Sequence, residues 1–165
     1  MTLHSTTLAV ALALGLAGAG SAMADPGHSP GKKNSAAYDG HAAALGEPGD
    51  PKVAKRTIEI SGHDQMRFTP ATLSISRGET VRFVFKNAGQ LKHEIMLGTQ
   101  KELNEHAVQM EKHPDMEHEN PNGTTSEPGG SSEFVWKFTK AGQFFFGCLL
   151  PGHYQQGMKG NIIVR

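Results

Sequence analysis

From Lys55 onward the apolar residues alternate with polar ones in short runs, and glycine, proline or asparagine closes each run. Side chains leave a strand on opposite sides in turn, so this period of two marks strands with one buried face. Thr57-Ile58-Glu59-Ile60-Ser61 has the pattern, Met66 to Thr69 stops at Pro70, and Thr72-Leu73-Ser74-Ile75 repeats it. Arg77-Gly78-Glu79 reads as a turn into residues 80–86, where Val81, Phe83 and Phe85 share a face. Asn87-Ala88-Gly89 closes that strand, and His93 to Leu97 opens the next extended piece. Further on, Phe134, Trp136 and Phe138 alternate with Val135, Lys137 and Thr139, and Ala141-Gly142 turns the chain. Phe144, Phe146 and Cys148 then line one side of an aromatic strand, and residues 158–164 form a closing strand. About seven short strands separated by Gly and Pro turns predict an all-β fold, an antiparallel Greek-key sandwich with these aromatic residues in its core.

The sandwich is expected to occupy residues 55–165 of a chain of 165, a length that suits one domain with a proper core. Its period breaks between residues 98 and 132. Lys101 to Lys112 has helix-forming composition, while Pro114, Pro121 and Pro128 forbid a long continuous element, so a partly helical insertion is expected there. Ahead of the sandwich, the uncharged apolar run Leu8 to Ala19 followed by Ser21-Ala22-Met23-Ala24 reads as a signal peptide over residues 1–24, which predicts export. Residues 25–54 are rich in Gly, Pro, Ala and Ser without apolar periodicity and are expected to form a flexible tail. Lysine plus arginine and aspartate plus glutamate balance at 16 each, which leaves no electrostatic case for nucleic acid or an anionic membrane. The mature protein is expected to have no membrane span.

The segment that carries chemistry is Cys148-Leu149-Leu150-Pro151-Gly152-His153-Tyr154-Gln155-Gln156-Gly157-Met158. It sets a thiolate, an imidazole and a thioether at Cys-x4-His-x4-Met in the loop between the last two strands. A loop that leaves one strand and returns in the next can curl all three side chains onto one point, which a straight strand or helix cannot. Cys148 is the sole cysteine, so no internal disulfide competes for it. Thiolate with thioether and imidazole selects copper over zinc, and two imidazoles, a thiolate and a distant methionine make a blue-copper set. The fourth ligand must come from elsewhere. His93 sits where a neighbouring sandwich loop can bring it over Cys148, and His63 is the alternative.

These residues resemble the cupredoxin family of plastocyanin, azurin, pseudoazurin and rusticyanin, over about residues 55–165. His93-Glu94-Ile95-Met96 with its Met- and His-bearing insertion looks like the periplasmic CopI-type members associated with copper tolerance. The resemblance implies one type 1 copper with His93 and His153 as equatorial ligands, Cys148 as thiolate and Met158 as axial ligand, in a periplasmic protein. Two positions depart from the family pattern. Glu94 stands where many electron carriers place Asn or Ser to tie the two ligand loops together, and Lys92 stands where azurin-type members have glycine. Such neighbours of the ligands tune the metal, so the departures bear on the redox potential rather than on copper binding.

His106, Met110, His113, Met116 and His118 in the insertion form a soft, copper-friendly mixture that could hold a second, weaker copper, or simply make up a polar solvated segment. His28 and His41 in the tail are weak ligands. Two functions compete: copper tolerance through a one-electron copper site, and a soluble electron carrier for respiratory or oxidative partners. A redox or copper-transfer partner protein is expected in either case. An enzyme is not expected, because the chain has no His-x-His pair for a catalytic copper and no second cysteine for a two-copper centre.

Overall fold

The computed structural model describes residue 42, residues 44–114 and residues 120–165. The expected signal peptide, most of the expected tail with His28 and His41, and Met116 and His118 of the insertion lie outside the described residues.

Among the described residues ten strands form two five-stranded sheets. The first contains β1 (Gly46–Pro48), β2 (Arg56–His63), β3 (Arg67–Thr69), β5 (Thr80–Asn87) and β8 (Ser131–Phe138), in the order β1-β8-β5-β2-β3. The second contains β4 (Thr72–Ile75), β6 (His93–Gly98), β7 (Gly123–Ser126), β9 (Gly142–Gly147) and β10 (Lys159–Val164), in the order β4-β10-β9-β6-β7. The period-two residues meet between the sheets as expected. Ile58, Ile60, Val81, Phe83, Phe85, Phe134, Trp136 and Phe138 from the first sheet pack with Leu73, Ile75, Ile95, Leu97, Phe144, Phe146, Ile162 and Val164 from the second. Phe83 stacks on Phe134 with ring centroids 5.0 Å apart, and Phe68 meets Phe146 across the core at 5.2 Å. This is the sandwich that the alternation predicts, with one difference in pairing. β2 runs parallel to β5, and β4 runs parallel to β10. A parallel pair needs a crossover, and β3 and β4 supply it by carrying the chain from one sheet to the other between β2 and β5.

Three further elements position the functional end. Helix α1 (Gln100–Lys112) starts at a capping box, in which the Thr99 hydroxyl accepts from the Glu102 N–H and the Glu102 carboxylate accepts from the Thr99 N–H. Its Leu103, Ala107 and Met110 form a second apolar cluster with Met96, Leu149 and Tyr154, on the outer face of the second sheet. Every residue of β6 is buried for this reason: the core covers one face and α1 the other. β7 lies inside the expected insertion and pairs with β6. Its sequence, Gly-Thr-Thr-Ser, has no apolar residue and so no period to read.

The tail expected to run to residue 54 ends earlier than that. β1 pairs antiparallel with β8, from Gly46 opposite Phe138 to Pro48 opposite Trp136, and Ala42 and Leu45 are fully buried. Leu45 is an isolated apolar residue among small and polar ones, and Pro48 is tolerated because β1 is a sheet edge. Replacing Leu45 with alanine should therefore cost about 2–5 kcal/mol by urea denaturation, the range for a cavity in a filled core. A loss below about 0.5 kcal/mol, as for an ordinary surface substitution, would show that the segment before Lys55 does not pack.

Candidate metal centre

The site follows from hydrogen-bond register. β9 pairs with β10 on one side, Gly147 opposite Lys159, and with β6 on the other, Gly147 opposite Met96. Both partners run antiparallel to β9, so Cys148, just past the end of β9, comes level with Met158, just before β10, and with the His93 end of β6. The Cys148 N–H donates to the Met158 carbonyl at 3.0 Å and extends the ladder by one rung. Residues 149–157 are then the turn between β9 and β10, folded back through His153 N–H to Leu150 C=O (3.0 Å), Gly157 N–H to Tyr154 C=O (3.1 Å) and Met158 N–H to His153 C=O (3.1 Å). Gly152 and Gly157 have φ of +80° and +100°, a left-handed region that a side chain resists.

This geometry gathers His93, Cys148 and His153. One ligand atom from each lies within 4.8 Å of the others, and among the described residues no other group of three or more His, Cys, Asp or Glu side chains comes together this way. Cys148 Sγ is 3.3 Å from His153 Nδ1, and the two imidazole centroids are 5.1 Å apart. His93 and Cys148 are fully buried, while His153 is half-buried at the outer edge. Met158 is fully buried at the end of the same loop, with its methyl group against Gly62 of β2. A Cβ at Gly62 would lie 3.0 Å from the Met158 Cε and from the Phe85 ring, so glycine there makes room for the thioether. The His63 alternative is not part of the group; it is the last residue of β2, opposite Arg67.

The donor chemistry fits a copper ion. His93 Nδ1 is buried with no hydrogen-bond partner, an orphaned lone pair of the sort a metal satisfies. Burial pushes the Cys148 thiol up to about 12, with the nearby Glu94 carboxylate adding to the effect. A metal that takes this sulfur as thiolate must displace its proton and return a positive charge to the pocket. Burial also holds His153 below the ordinary imidazole range, reinforced by His93, and so keeps it neutral as a ligand must be.

The loop is braced from behind. The Leu149 N–H donates to Glu94 Oε1 at 2.7 Å, which ties the residue after Cys148 to the residue after His93. Glu94 thereby makes the tie between the ligand loops that Asn or Ser would otherwise make. Burial pushes its carboxyl up to about 7, against the opposing pull of the Leu149 N–H and Lys92. Gln100 Nε2 donates to the Tyr154 hydroxyl at 2.6 Å and Gln155 Nε2 donates to Glu111 Oε1 at 2.6 Å, so α1 grips the loop near both of its own ends. On the other flank Arg67 donates to the Gln156 carbonyl at 3.1 Å, just before Gly157 and Met158.

Of the insertion residues, Met110 is buried in the apolar cluster that also holds Leu149 and Tyr154. His106 is half-buried on α1 and His113 is the exposed residue at its C-terminal cap. The residue that sequence reasoning missed is Asp64, whose Oδ1 lies 2.9 Å from His93 Nε2 although the two are 29 positions apart. An acidic residue in a turn carries no signal by itself, and only the packing of the turn after β2 against the β5–β6 loop brings it there.

The loop tie can be tested apart from the metal. In copper-free protein, Glu94→Ala leaves the buried Leu149 N–H without an acceptor and should cost about 1–3 kcal/mol by urea denaturation. Glu94→Gln keeps an acceptor oxygen and should cost clearly less. Equal losses in the two variants would rule out this hydrogen bond as the source.

Comparison with known proteins agrees with the geometry. Residues 54–165 match the family model described as copper binding proteins, plastocyanin/azurin family. The chain is 47% identical over 145 residues to the copper-resistant cuproprotein CopI of Rubrivivax gelatinosus, covering 87% of this chain and 88% of that one. It is 36% identical over 154 residues to the protein of the same name from Pseudomonas aeruginosa, covering 76% and 84%. Auracyanin B superposes with a TM-score of 0.62 at 22% identity over 73% of this chain and 96% of that chain, a likeness of fold. With a sandwich of this order, a buried His-Cys-His group and these relatives, the chain belongs to the plastocyanin/azurin family of copper-binding proteins, as a cupredoxin of the CopI type.

Proposed function

We propose that this protein is a periplasmic copper protein that serves copper tolerance through a single one-electron site of the type 1 kind. His93, Cys148, His153 and Met158 would hold the metal. The observation that carries the reading is the convergence of a buried thiol and two imidazoles within 4.8 Å, with a buried methionine at the end of the same loop. Copper in this donor set supplies one-electron chemistry and accepts both oxidation states with little rearrangement. The chain's own part is to hold the donors rigid: β9 aligns them, the Glu94–Leu149 tie fixes their separation, and α1 and Arg67 restrain the loop. His93, Cys148 and Met158 are fully buried and His153 is half-buried, so the donor group is shielded from water except at its outer edge.

The tolerance role is supported by the relatives at 47% and 36% identity, both named copper-resistant cuproproteins. Export to the periplasm rests on the apolar segment and the Ala-Met-Ala sequence that precede Asp25. Function by binding and redox change, without turnover of a substrate, rests on the single Cys148 and on the lack of a His-x-His pair in the sequence. A soluble electron carrier is the second reading, favoured by the rigidity of the site, and it calls for a redox partner protein.

A Cu(II) titration of the chain from Asp25 to Arg165 tests the site. An intense visible thiolate-to-copper band should saturate at about one equivalent, as a blue-copper donor set requires, and should vanish in Cys148→Ser. Absence of the band in the unsubstituted protein would refute the site. Further colourless equivalents would point to weaker binding by His106, His113, Met116 and His118. The two roles separate in the cell: deleting the gene should sensitise growth to copper while leaving respiration unchanged, and the opposite pattern would favour the carrier.

A further inference from the structure

Histidines that bind metals are oriented by whatever holds their second ring nitrogen. In this protein that partner, for His93, is a carboxylate. Asp64 Oδ1 lies 2.9 Å from His93 Nε2, and the other ring nitrogen, Nδ1, is buried without a partner. An ionised carboxylate only accepts hydrogen bonds, so the ring proton belongs on Nε2 and Nδ1 is left with a bare lone pair. Asp64 is itself held in place. Its Oδ2 accepts the Gln90 N–H at 2.7 Å and its Oδ1 accepts the Leu91 N–H at 3.3 Å, so one carboxylate caps the β5–β6 loop and anchors the first residue of β6. The chain approaches it closely at Gly89, where a Cβ would overlap the carboxylate oxygen.

We propose that Asp64 is the positioning residue of the copper centre: it locks His93 with Nδ1 turned to the metal and sets a negative charge behind that ligand, which favours Cu(II) over Cu(I). The inference rests on His93 being a copper ligand. The physical reason is that a fixed anion one imidazole away stabilises the more highly charged oxidation state, while strengthening the ring as a donor. Asp64 is about a third exposed, with a side-chain exposure of 31%, so water screens part of its charge and leaves the hydrogen bond intact. His153, half-buried at the outer edge, contributes no such carboxylate contact among the described hydrogen bonds.

The test has a copper-free arm and a copper-loaded arm. In copper-free protein, long-range proton–nitrogen NMR correlations should show His93 protonated at Nε2, and Asp64→Ala should populate the Nδ1–H form. In copper-loaded protein, Asp64→Asn should keep the visible band while Cu(II) affinity falls about 10- to 100-fold in competition titrations, the usual cost of losing such an outer partner. The reduction potential should rise by about 59 mV for each tenfold of Cu(II) affinity lost beyond that of Cu(I). Gly89→Ala supplies an independent perturbation, because it pushes the Asp64 carboxylate off the imidazole while keeping its charge, and it should move the potential in the same direction. A role confined to loop stability would lower the unfolding midpoint and leave the potential unchanged, which would overturn the proposal. So would an Nδ1–H tautomer in the unsubstituted protein. Loss of the copper band in the unsubstituted protein would instead defeat the copper reading, and the NMR arm would still decide the tautomer.

Discussion

Strand β9 hydrogen-bonds to β6 on one side and β10 on the other, and the metal centre depends on that shared ladder. Because both neighbours run antiparallel to β9, the end of β9, the start of β6 and the start of β10 lie at one edge of the sheet. Register then sets which residues face each other there. A slip of one residue would turn every side chain of a strand to the opposite face and carry His93 or Cys148 out of the core. The filled aromatic interior, with Trp136, Phe83, Phe138 and Phe146 fully buried, holds the register. The apolar core and the metal site are therefore consequences of the same alignment.

Around this ladder the donors are immobilised from several directions, each by a different kind of contact. Glu94 reaches across to the Leu149 N–H, α1 grips Tyr154 and Gln155, Arg67 holds Gln156, and Asp64 holds His93. Such bracing limits what can move, which is what the proposed one-electron role asks of the surroundings. The helix within the 98–132 segment contributes to this as a packed support, since Met110 is spent on the apolar cluster under the ligand loop.

The strands with an apolar face were legible in the sequence because burial on one side imprints a period of two. Thr57–Ser61, Val81–Phe85, Phe134–Phe138 and Phe144–Cys148 all lie where that period places them. Two of the four edge strands were not legible. Gly46–Pro48 and Gly123–Ser126 join their sheets through backbone hydrogen bonds, and such bonds leave no pattern in side-chain type. The parallel pairs β2–β5 and β4–β10 were also hidden, because the direction of pairing depends on how crossovers route the chain between sheets.

By itself the sequence determined the loop chemistry. Cys148, His153 and Met158 are near neighbours along the chain, and Gly152 and Gly157 supply the bends that let them converge. The tertiary structure alone brought His93, and not His63, together with Cys148 and His153, set Asp64 against the His93 ring, and gave Glu94 its partner. Those choices join residues far apart in the chain through single polar contacts. Their occurrence depends on which strand ends the folded sandwich sets side by side, and local spacing carries no record of that.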